Sequence, residues 1–75
     1  MQGNFTAILE REDDQYVALC PELDVASQGP SLETALANLR EAIQLLLETA
    51  SPDELQARYH GPVFVTQVQV QAHAS

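Results

Sequence analysis

Cys20 beside Pro21, the acids Glu22 and Asp24 that follow, and His60 and His73 further on are the residue types here that suggest covalent or metal chemistry. A cysteine nucleophile needs an imidazole within reach and a positive charge to lower its pKa. The sequence neighbours of Cys20 are instead carboxylates, which raise a thiol's pKa, so Cys20 reads as a small buried apolar side chain. One cysteine forms no intrachain disulfide, and one cysteine with two scattered histidines lacks the paired spacing of a structural zinc site. Glu12, Asp13 and Asp14 form the densest acid cluster. Two-metal phosphoryl chemistry requires acids that converge from several elements. Here the first predicted strand carries only Glu10, and segment 63–71 has no acid. With no Gly-rich phosphate loop either, the chain reads as a non-enzyme that needs no cofactor and no metal.

The elements that position these residues follow from the hydrophobic pattern. Residues 4–10 (NFTAILE) alternate as a strand, with Phe5, Ala7 and Leu9 on one face and Ile8 on the other. Residues 12–14 make a polar hairpin turn, and 15–20 (QYVALC) form the second strand. Pro21 ends that pairing because it has no N–H to donate. Residues 25–28 are a short third strand, broken by Gly29-Pro30. Ser31 then caps a long amphipathic helix through Ala50, with Leu32, Ala35, Leu36, Leu39, Ile43, Leu46 and Leu47 on one side. Its five Leu and one Ile are worth on the order of 10 kcal/mol if fully buried. Ser51-Pro52-Asp53-Glu54 has the pattern of a capping box with proline at the first helical position, opening a short helix to about Tyr59. Gly61-Pro62 stops it, and 63–71 (VFVTQVQVQ) read as a fourth strand, with a frayed tail over 71–75.

These elements predict one α+β domain over residues 1–75. A helical crossover into a final parallel strand should be right-handed. The expected sheet is mixed and four-stranded in the order 3-2-1-4, with the long helix on one face. One helix covers one face only, yet both faces of the first two strands carry apolar residues. Ile8, Tyr16 and Val17 are therefore expected to take part in self-association, giving a homodimer or higher oligomer.

Charge narrows the partner. Eleven acids stand against three arginines and no lysine, a formal net charge of −8. Nucleic-acid binders supply Lys and Arg to the phosphate backbone, so direct nucleic-acid binding is not expected. An acidic surface instead speeds encounter with basic partners. No apolar run approaches the ~20 residues of a membrane span. With an unpaired thiol and no basic leader or apolar signal region at MQGNFT, the expected compartment is the cytoplasm.

Read in order, Tyr16-Val17-Ala18, Cys20-Pro21-Glu22-Leu23, Ser27-Gln28-Gly29, Ser31-Leu32-Glu33-Thr34-Ala35-Leu36 and Asn38-Leu39-Arg40-Glu41-Ala42-Ile43 resemble the HicB-like antitoxin family. The resemblance runs from about Phe5 to Glu48. It implies a partial RNase H-like fold of β-β-β-α-β type without nuclease carboxylates. It also implies a non-catalytic role: neutralising a small basic HicA-type mRNA-cleaving toxin by masking its active or RNA-binding surface. Many family members add a C-terminal DNA-binding domain; here four residues follow Gln71, and the resemblance extends to no such domain. Gln15 stands where many relatives have glycine before the aromatic residue, so the hairpin turn is expected to differ. Glu12, Asp13 and Asp14, then Glu22 and Asp24, are the candidate partner-binding residues. The alternative is an orphan member acting as a small structural or interaction oligomer with another partner.

Overall fold

The structure, a computed structural model, describes residues 3–73. It is α+β: strands β1 (Ile8–Glu12), β2 (Gln15–Cys20) and β3 (Val25–Gly29), then helices α1 (Leu32–Thr49) and α2 (Pro52–Arg58). The three strands form an antiparallel sheet in the order β1-β2-β3. Glu12 pairs with Gln15, so β1 and β2 are joined by the two-residue loop Asp13-Asp14. Asp13 has a φ of 56°. Aspartate tolerates that left-handed conformation better than most residues, and it takes the place a glycine often holds in such a hairpin. Asp24, with a φ of 55°, does the same in the β2–β3 turn.

The register assigns the two faces. Leu9, Ala18 and Ser27 lie opposite one another, as do Cys20 and Val25. Ala18 and Cys20 are buried with Leu23, Ala35 and Leu39, and Phe5, Ala7, Leu9, Tyr16, Val25, Ile43 and Leu46 pack around them. This is the helix side of the sheet. Ile8, Val17 and Leu19 point to the other side, each half-buried.

Helix α1 starts where its capping chemistry directs. Ser31 is extended, and its hydroxyl accepts from the Thr34 N–H at 3.1 Å. Gly29 makes the approach of β3 to α1 possible, since an added Cβ would lie 2.8 Å from the Ala35 backbone nitrogen and from the Thr34 methyl. Asn38 Nδ2 then donates to the Gln28 carbonyl at 2.9 Å, so the helix occupies part of the outer edge of β3. The helix lies mainly over β3 and β2 and only marginally over β1. In α2 the Ser51 hydroxyl accepts from the Glu54 N–H at 3.1 Å, with Pro52 in the first turn. The end of α2 and the residues just after it are tied back to the β2–β3 turn. Arg58 Nη1 donates to the Leu23 carbonyl at 2.9 Å, and the His60 N–H donates to the Glu22 carbonyl at 2.7 Å.

Two expectations need correction. β1 begins at Ile8, four residues later than expected, because the Thr6 N–H goes to a side chain rather than into a ladder. The fourth strand is not formed: 63–71 make no ladder in the chain, so the expected order 3-2-1-4 reduces to β1-β2-β3. The alternation of Val and Gln there specifies a surface for pairing, but a strand also needs an edge to pair with. This segment leads away from the sheet. Phe64 is 86% exposed, and Val68 and Val70 are each 79% exposed. Residues 74–75 of the expected frayed tail lie outside the described residues.

Candidate interaction surface

Cys20 is fully buried in the core, and its side-chain partner is a carboxylate: Sγ lies 3.6 Å from Glu22 Oε1. Burial, together with the hydrogen bond to Glu22 and its charge, pushes the thiol pKa up. Burial and a raised pKa both work against the thiolate that a nucleophile needs. His60 is exposed and meets the core through its main chain. Among the described residues, no three of His, Cys, Asp and Glu converge as metal ligands.

Glu22 departs most from the sequence reading. Expected on a partner-facing surface, it is 6% exposed. Its carboxylate accepts from the Thr6 N–H at 3.0 and 3.1 Å and from the Thr6 hydroxyl at 2.6 Å. Burial works against its charge, but these donors and Cys20 outweigh it and hold the carboxyl below its ordinary range. Glu22 is a clamp fixing the N-terminal segment to the β2–β3 turn, and its carboxylate is turned inward to Thr6 and Cys20 rather than toward a partner. An acid just after a proline resembles a solvated turn in sequence; its donor comes from sixteen residues away.

The remaining acids divide between the two ends of the sheet. Glu12, Asp13 and Asp14 are exposed at the β1–β2 turn, where they border a shallow hollow with Gln15, Val17 and Gln28. Arg11 Nε donates to the Asp13 carbonyl at 3.2 Å, bracing the turn without engaging a carboxylate. Asp24 is exposed at the opposite end, separated by the length of β2, on the order of 20 Å for six residues. The structure thus brings together 12–14 and sets Asp24 apart. Of the residues expected in self-association, Ile8 and Val17 share the uncovered face of the sheet with Leu19, whereas Tyr16 lies on the other face against the core.

One feature was not anticipated. Because α1 sits toward β3, an open groove of about 890 Å³ runs between α1 and the N-terminal segment leading into β1. Phe5 and Ala7 line one wall, and Leu36, Ile43 and Leu47 the other. The helical periodicity showed that these leucines share a stripe, but how much of the stripe the sheet covers depends on where the helix settles.

The sequence has relatives. A UPF0150 protein of Synechocystis is 44% identical over 55 residues, which cover 71% of this chain and 76% of the relative. The chain belongs to the UPF0150 family. A UPF0150 protein of Helicobacter pylori is 44% identical over 50 residues, 65% of this chain and 69% of its own length. A second UPF0150 protein of Synechocystis is 46% identical over 48 residues, 61% of each chain. No family model matches the chain. No solved structure matches it. No helix of this UPF0150 protein, among the described residues, is long and apolar enough to cross a membrane.

Proposed function

We propose that this UPF0150 protein is a HicB-like binding protein of the cytoplasm, without catalysis of its own, that neutralises a small basic HicA-type toxin by covering its active or RNA-binding surface. The observation that carries this reading is the exposed acidic hairpin Glu12-Asp13-Asp14 at the end of a rigid sheet, in a chain of net charge −8. Such a patch attracts a basic surface over roughly a Debye length, and a two-residue turn between paired strands has little loop entropy to lose on binding. The HicB-like residues support the reading from another direction. They form β2, the buried Cys20–Leu23 turn, the Gly29 approach and the capped start of α1, so the likeness lies in the parts that build this frame. Within this proposal the domain acts as a homo-oligomer, and its sheet reaches the 3-2-1-4 order when 63–71 pair with the free edge of β1.

The test is capture from native lysate with the full chain as bait, followed by an RNA-cleavage assay on what is recovered. The expected result is a small basic protein that is released as salt rises and whose RNA cleavage stops when the chain is added back. Changing Glu12, Asp13 and Asp14 together to alanine should weaken that complex by about tenfold or more, since rim charges act on encounter and on salt dependence. Unaltered affinity in the triple variant removes the hairpin from the interface. Recovery of the bait alone, as an oligomer, favours the orphan reading instead.

A further inference from the structure

We infer that the face of the sheet turned away from α1 is a docking surface for a basic amphipathic helix of a partner protein. The inference rests on the basic-partner part of the proposal above, not on RNA cleavage, and names the face and the element through which that partner is held.

The pairing register lays this face out in three rows. Nearest the β2–β3 turn, Ile8, Leu19 and Ala26 stand side by side. The middle row is Glu10, Val17 and Gln28. The last is Glu12 beside Gln15, next to the Asp13-Asp14 loop. Successive side chains alternate between the two sides of a strand, so these positions share one face while Ala18 and Cys20 meet α1 on the other. The face therefore passes from apolar to acidic along the strands. A shallow hollow of about 470 Å³ joins the two parts, with Val17 and Gln28 on one side and Glu12 and the loop on the other. The arginines lie elsewhere. Arg11 stands opposite Tyr16 on the α1 side, Arg40 borders the groove beside α1, and Arg58 donates to the Leu23 carbonyl.

Charge selects the occupant. Two copies stacked face to face about a twofold axis along the strands would bring both acidic ends together, in chains of net charge −8. About an axis across the strands, the carboxylates of each copy would lie against the apolar row of the other. The first arrangement sets like charges against one another, and the second buries carboxylates without a cation. Phosphate backbones and anionic lipid surfaces are repelled by the same charge. A partner with an apolar stripe and Lys or Arg beside it meets each row with its complement. Width selects a helix: three strands at ~4.8 Å spacing are about as broad as one helix, and a helix of about twelve residues spans the ~18 Å of strand length. One helix, α1, already covers the opposite face in this way.

The test is titration of the isotope-labelled full chain with two synthetic peptides, read by amide shifts. One is a helix of about fourteen residues with leucine along one stripe and lysine elsewhere. The other has the same composition in scrambled order. The ordered peptide should bind in the micromolar range, shift the amides of Ile8, Val17 and Leu19, and exceed the scrambled one by about tenfold or more. Val17→Lys should weaken it by a similar factor of about ten, with an unchanged far-UV spectrum because Val17 lies outside the core cluster. Glu10→Lys with Glu12→Lys should weaken the lysine peptide and strengthen its leucine–glutamate counterpart, each by about tenfold, a reversal that a folding defect cannot produce. Equal binding of ordered and scrambled peptides would mean charge alone and overturns the face. So do shifts centred on Phe5 and Leu36 in the α1 groove, or no binding at all. The toxin reading fails separately. An RNA-cleaving basic protein that binds the chain without perturbing these amides overturns this face and keeps that reading, whereas peptide docking here with no such protein recovered keeps the face and removes the toxin.

Discussion

Leu39→Ala is expected to destabilise the fold by about 2–5 kcal/mol, the range for emptying a buried leucine site. Leu39 is 1% exposed and, with Leu23, is the largest of the five buried hydrophobic side chains, the others being Ala18, Cys20 and Ala35. Phe5, Leu9, Ile43 and Leu46 pack around that cluster, and how far they relax into the space sets where in that range the loss falls. Small domains have little stability to lose, and at this length each kcal/mol shifts the melting temperature by roughly 4–8 °C. Thermal melts should therefore show a loss well beyond ~10 °C, or no cooperative transition. Leu45→Ala on the same helix is the control: Leu45 is 60% exposed and its removal should stay within about 0.5 kcal/mol. Equal losses at the two positions would place the core wrongly.

That contrast marks how far the helix was legible. Periodicity located α1 to within a residue and named Leu39 among its inward positions. It also suggested six large apolar side chains in the core, whereas Leu32 and Leu36 are 49% and 46% exposed. Periodicity reports which residues share a face. It does not report how much sheet is available to cover that face, and three strands cover less than four.

Glu22→Gln should cost about 1.5–3 kcal/mol, the worth of charge-assisted hydrogen bonds to a buried carboxylate. The carboxylate accepts both donors of Thr6, the main-chain N–H and the hydroxyl. An amide turns one of its two acceptor atoms into a donor and leaves Thr6 facing an N–H. The pH dependence follows from the direction of the shift. Because folding holds the Glu22 carboxyl below its usual range, its stabilisation is complete above the unfolded value and is lost as pH falls through the folded one. Melting temperatures of the wild type should drop as the solution is acidified from neutral to below the ordinary carboxylate range, and those of Glu22→Gln should drop less. Parallel pH profiles for the two proteins would mean that Glu22 does not carry the acid sensitivity. Thr6→Ala, combined with Glu22→Gln, should show strong non-additivity, since both act on one set of hydrogen bonds.

Glu22 also shows what a sequence conceals. Its burial depends on an approach by Thr6 that no local pattern encodes, and nothing in Pro21-Glu22-Leu23 separates a clamp from a solvated turn. The β1–β2 turn, by contrast, was legible as a turn from the acidic run 12–14, although Glu12 proves to pair with Gln15 in the ladder and the loop is Asp13-Asp14 alone. Segment 63–71 lies between these cases. Its alternation was visible, but whether it pairs, and with which chain, is a question about edges.

In this sheet each strand lies beside its neighbour in sequence, and α1 then folds back over β3 and β2, the strands that immediately precede it. Local connectivity of this kind favours rapid folding. It also fixes an order of events: sheet, helix and core can be complete before 63–71 have found any edge. Refolding followed by circular dichroism should show a fast main phase independent of protein concentration. A main phase that accelerates with concentration would mean instead that the chains fold only together.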